Sequence, residues 1–226
     1  RSYYQNDEEE DKEILDEYTK YVNDMLGYLG EKNTEEKAKK IVAFEKEIAK
    51  FLLTDEEQDD ITKYNNPMKV SEIAKKIKNI DIQKFLKDAG VNTDNINVEE
   101  LKYYENLDKI INMSNIEVIK DYMKFQLISG SAGILDEKTS NRSFEFYGKV
   151  LSGRKERDAI EKRALDFVSE ELGEIVGKVY VEKNFSAEAK KNTEEMIKYI
   201  KIAFQNRIKN LTWMSEETKK AALEKL

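Results

Sequence analysis

With 226 residues the chain is long enough to bury a substantial core, and it has no cysteine with which to staple one. Its 39 basic and 46 acidic residues leave a formal charge of −7, which excludes a nucleic-acid groove as the leading reading; the most basic stretch, 149–163, is broken by Glu156, Asp158 and Glu161. Histidine is absent, which removes the usual general base, the commonest metal ligand and every Ser-His or Cys-His pairing together.

One proline, nine glycines and 38% charged residues predict long amphipathic helices, hence an all-α fold with one short extended segment. No run approaches the roughly 18 consecutive apolar residues of a membrane span, and the amino terminus lacks an apolar signal segment. A soluble stretch is expected, in the cytoplasm or at a bacterial cell surface. The opening at Arg1 and the uncapped helical ending TKKAALEKL predict a fragment.

The first helix is predicted over Glu8 to Leu29, where Ile14, Leu15, Tyr18, Tyr21, Val22, Met25, Leu26 and Leu29 form one stripe. The acidic run Asp7 to Asp11 falls in its first turn and matches the helix dipole, and Gly30 ends it. Asn33 with Glu36 reads as a capping pair for a second helix that buries Ala38, Ile41, Val42, Ile48, Ala49 and Leu52. The polar segment 54–70 holds Pro67 and reads as a solvated connection; its carboxylates lack the glycine that a calcium loop needs. Short helices are expected around Val70 to Ile77 and Ile82 to Ala89, and the alternation at Ile96-Asn97-Val98 marks the extended segment before a helix from Glu99 to Ile111.

Asn115 to Leu135 reads as a long helix with Ile116, Ile119, Tyr122, Met123, Leu127 and Ile128 in the core. Its SGSAG, 129–133, lacks the Lys-Ser/Thr of a phosphate loop and suggests close helix packing instead. SFEFYGKVLSG follows as an aromatic connection. Ile160, Ala164, Leu165, Val168, Leu172, Ile175, Val176 and Val179 then recur at helical spacing, with Gly173 and Gly177 permitting a close approach or a bend. Ser186 caps the next helix, whose stripe is Met196, Ile197, Ile200, Ala203, Phe204, Ile208 and Leu211, and Ser215 caps a last one. No strict heptad repeat holds, so a compact bundle is expected rather than a coiled coil.

From Val176 to Leu226 the order of residues resembles the neprilysin, endothelin-converting enzyme and oligopeptidase O family. The run VG-x-LYV-x-x-x-F is matched at Val176, Gly177, Tyr180, Val181 and Phe185, with Val179 in place of the usual leucine. A-F-x-x-R-x-x-x-L-x-WM is matched at Ala203, Phe204, Arg207, Leu211, Trp213 and Met214, and T-K-x-x-A-x-x-K-L at Thr218, Lys219, Ala222, Lys225 and Leu226. Upstream, Arg1 with Tyr3-Tyr4 resembles R-x-YY, Glu45 to Ala49 resembles E-x-x-IA, Asn66-Pro67-Met68 matches NPM, and Phe146 to Gly153 matches the FYGKVLSG of bacterial members.

The resemblance implies that residues 1–226 are a single helical lobe of a two-lobed zinc metalloendopeptidase, facing its own catalytic lobe across an enclosed cavity. The zinc would sit on an H-E-x-x-H helix and a downstream glutamate in that other lobe. No catalytic, cofactor-binding or metal-ligating residue is carried over to this chain. Its implied part is to wall the cavity and limit substrates to short peptides. Arg142, Tyr180, Phe185, Phe204, Arg207 and Trp213 are the candidate cavity-lining residues, although aromatics at helical spacing read first as core and arginines first as solvated pairs. The alternative is a stand-alone helical scaffold that binds a protein partner along one face.

Overall fold

The computed structural model describes residues 2–6 and 8–226; Arg1, of the R-x-YY resemblance, and Asp7, of the acidic run, lie outside the described residues. The fold is helical and divides into two compact units, 1–157 and 158–226.

The first unit opens with α1 (Ser2–Gln5), α2 (Glu9–Tyr28) and α3 (Thr34–Ala49). Glu9, Glu10 and Asp11 occupy the first turn of α2, where unpaired backbone N–H groups favour negative charge. Gly30, at φ 75°, closes the helix: its N–H donates to Gly27 O and that of Glu31 to Leu26 O, so two of the last free carbonyls are satisfied. Asn33 departs from its expected role. It sits at φ 54°, in the left-handed region, and its side chain caps nothing; Asn23 Oδ1 instead accepts from Thr34 Oγ1 at 2.8 Å and pins the start of α3 to α2.

The acidic stretch expected as a loop forms two short helices, α4 (Asp55–Gln58) and α5 (Ile61–Tyr64). Thr54 and Glu57 make a reciprocal capping box on α4, and Asp60 accepts from Thr62 N to begin α5. Strand β1 (Pro67–Lys69) comes next, then α6 (Val70–Lys76), α7 (Ile82–Asp88) and β2 (Asn95–Asn97). The two strands pair antiparallel with Met68 opposite Ile96. The helix expected over 99–111 is two, α8 (Leu101–Glu105) and α9 (Leu107–Ile110). Asn106 interrupts it by turning its amide back to Lys102 O, the local competition with the backbone that disfavours asparagine inside helices. Ile73, Ile77, Val98 and Leu107 bury a small separate core here.

Helix α10 (Ile116–Ser131) ends in a 3-10 turn, Ala132–Ile134. Its buried face is Phe125, Ile128 and Ala132, with Tyr122 partly covered, so the expected stripe holds at Tyr122 and Ile128 but misses Phe125, and Met123 and Leu127 are exposed. A side chain at Gly130 or Gly133 would meet open space, so these glycines do not serve close packing; Ser129 does, bonding Tyr21 Oη at 2.8 Å. Helix α11 (Glu137–Ser143) runs into a π-helix, Phe144–Leu151, where a connection was expected. This wider turn sets Phe146 over Tyr21, nearly parallel, with ring centroids 5.2 Å apart. Tyr18, Tyr21, Val22, Met25 and Leu26 of α2 with Ala38 and Ile41 of α3 complete the main core.

The second unit holds α12 (Ile160–Glu171), α13 (Gly173–Asn184), α14 (Ala187–Asn210) and α15 (Glu216–Lys225). The stripe from 160 to 179 is carried by two helices, broken between Leu172 and Gly173. Ser186 caps α14 by accepting from Ala189 N, and Ser215 caps α15 by accepting from Thr218 N. Neither apolar stripe is buried: no described residue of this unit is. Helix α12 touches α13 and α14 touches α15, and these few contacts leave the apolar faces open.

Candidate functional site

In the first unit the most unusual polar group is Glu45, on α3, which is 8% exposed among aromatic side chains. Its carboxylate accepts from Tyr18 Oη at 2.8 Å and from Tyr4 Oη at 3.1 Å, which ties α1, α2 and α3 together. Burial pushes the Glu45 carboxyl above the usual carboxylate range, while the two phenol donors pull it the other way. Burial and the neighbouring Glu45 carboxylate push both phenols up, so they remain protonated donors. Nothing in the local sequence announces this cluster, because its members lie 27 and 41 positions apart.

Arg142, on α11, is placed by the same core. Its Nε donates to Asp24 Oδ2 at 2.7 Å, and its guanidinium carbon lies 5.5 Å from the centroid of the Tyr21 ring. Its charge is therefore already matched within the fold.

The other candidates belong to the second unit. Tyr180 and Phe185 lie on and just after α13, Phe204 and Arg207 on α14, and Trp213 in the turn before α15. All five side chains are exposed, Trp213 at 75%. No ring pair forms among these aromatics among the described residues, and Arg207 has no ion-pair partner among them. The expectation that such aromatics fill a core fails within this unit for a packing reason: the unit has no element lying opposite their face. Ile175, Val179, Met196 and Ile200 are left open in the same way.

Among the described residues no group of three or more His, Cys, Asp or Glu side chains could hold a metal ion. With no imidazole or thiol in the chain, its residues do not fit a catalytic zinc. No helix among the described residues is long and apolar enough to cross a membrane.

The N-terminal model of peptidase family M13 matches residues 1–226. The neutral endopeptidase of Lactococcus lactis subsp. lactis is 28% identical over 226 residues, which is 100% of this chain and 36% of that protein. Neprilysin-1 of Caenorhabditis elegans is 27% identical and is matched over 32% of its length by 100% of this chain. The zinc metalloprotease ZMP1 of Mycobacterium tuberculosis, in its open state, superposes with a TM-score of 0.77 at 25% identity, covering 98% of this chain and 35% of that one. The chain thus spans about a third of the length of these relatives.

Proposed function

The chain belongs to peptidase family M13, and from that premise we propose that it serves as the helical, non-catalytic lobe of a zinc metalloendopeptidase acting on short peptides. Both units belong to that one lobe. It walls the substrate cavity and limits the size of what enters, while the zinc and the groups that activate water reside in the catalytic lobe, its partner in the same protein. The observation that carries this reading is the second unit, which bears the motifs most specific to the family and yet buries none of its described apolar side chains. Contiguous apolar faces of that extent mark surfaces built to be covered. We assign Tyr180, Phe185, Phe204, Arg207 and Trp213 to the cavity side; Arg142 is the weakest of the six candidates, since Asp24 already neutralises it.

Two measurements test the reading. Cleavage by the full-length protein of a peptide ladder and of a small folded protein should fall steeply with substrate size; equal rates would sink the sieve. Separately expressed, residues 1–226 should bind the remainder of the protein and restore its peptidase activity. The exposed faces also suit a scaffold that binds an unrelated protein, and failure of the two parts to associate would favour that second reading.

A further inference from the structure

An apolar cavity of about 450 Å³ opens between the two-stranded sheet, α6, α7 and α8 in the first unit. That volume lies within the range of about 300–1,000 Å³ usual for ligand sites. Its floor includes the buried side chains of Ile73 and Val98. Phe85 lines it while 62% exposed and Tyr104 while 36% exposed, so two exposed rings stand beside an apolar hollow. Glu99 and Glu100 are the charged residues that line it; no lysine or arginine does. Glu100 Oε2 accepts from Leu53 N at 2.9 Å, and neither carboxylate has an ion-pair partner among the described residues. The hollow therefore matches an apolar group in shape and a cation in charge, and it repels anionic ligands such as fatty acids.

We propose that this cavity is a peptide-docking site, which takes a large apolar or aromatic side chain of a short peptide and sets an adjacent lysine or arginine against Glu99 and Glu100. The choice of a peptide rests on the reading that the whole protein acts on peptides. Docking here would favour peptides with that residue pair.

The test uses the full-length protein with its metal chelated, so that bound peptide stays intact. Fluorescein-labelled Gly-Phe-Lys-Gly, Gly-Phe-Glu-Gly and Gly-Ala-Lys-Gly are titrated and followed by anisotropy. The wild type should prefer the Phe-Lys peptide. Phe85→Ala should weaken it about tenfold through lost apolar contact. Glu99→Lys should erase the preference for Lys over Glu, an effect of about threefold or more. Both positions are exposed, and circular dichroism checks that the variants fold. Unchanged binding in either variant overturns the proposal, because it needs both groups. Cleavage of an ordinary short peptide by the zinc-loaded protein is measured in parallel. Its failure would count against the peptidase reading, whereas the chelated titration judges the cavity independently.

Discussion

Replacing Tyr18 by phenylalanine removes one hydroxyl from the chain and one donor from Glu45. The bond lost is 2.8 Å long and lies in a buried setting, whereas the Tyr4 bond to the same carboxylate is 3.1 Å and only part-buried. A buried hydrogen bond to a carboxyl group contributes about 1–3 kcal/mol, so Tyr18→Phe should cost about that much and Tyr4→Phe less. Glu45→Ala should cost more than either, because it strands both phenols. Urea unfolding followed by the near-ultraviolet circular dichroism of tyrosine reads mainly the first unit, which holds ten of the twelve tyrosines, while Tyr180 and Tyr199 in the second are exposed. In the Glu45→Ala background, Tyr18→Phe should become nearly free, giving a coupling of about 1 kcal/mol or more. Effects that simply add, within about 0.3–0.5 kcal/mol, would refute the assignment of a shared buried network. The pH dependence supplies a second check. A carboxyl whose folded value is raised contributes stability that is complete below its unfolded value and lost as pH rises through the folded one. The advantage of wild type over Glu45→Gln should therefore shrink as pH climbs from the ordinary carboxylate range.

Three further outcomes are expected. Glu31 behaves with the opposite sign: hydrogen bonds from Lys124 and Lys37 hold its carboxyl down at about 2, so its contribution is present above its ordinary value near 4.5 and is lost as pH falls from there through about 2. Protection from hydrogen exchange at the α2–α3 turn, taken relative to the intrinsic exchange rate at each pH, should fall over that window, and Glu31→Gln should remove the effect. At Gly148, in the π-helix, a methyl group would run into the Phe144 ring; Gly148→Ala should lower the urea midpoint by the equivalent of about 1–3 kcal/mol. In the second unit, Ile175→Lys and Ile200→Lys should leave the stability of residues 1–226 within about 0.5 kcal/mol, since both positions are open, yet should weaken association with the rest of the protein in a pull-down.

The sequence by itself determined the helical class, most of the helix positions and the lack of any imidazole in these 226 residues. Those signals are local: an apolar stripe repeats every three or four residues, and a cap acts across three, as at Ser186, Ser215 and Gly30. Family membership was legible too, because the motifs from Val176 to Leu226 keep their spacing without gaps. Tertiary structure decided what a local pattern cannot carry. It chose which face of α10 is covered, turned an aromatic connection into a π-helix over Tyr21, and gathered Tyr4, Tyr18 and Glu45 from three helices. It also left the stripes of α12 to α14 bare. Periodicity identifies the side chains able to be buried, but burial itself depends on what lies opposite, and for those helices nothing in their own unit does.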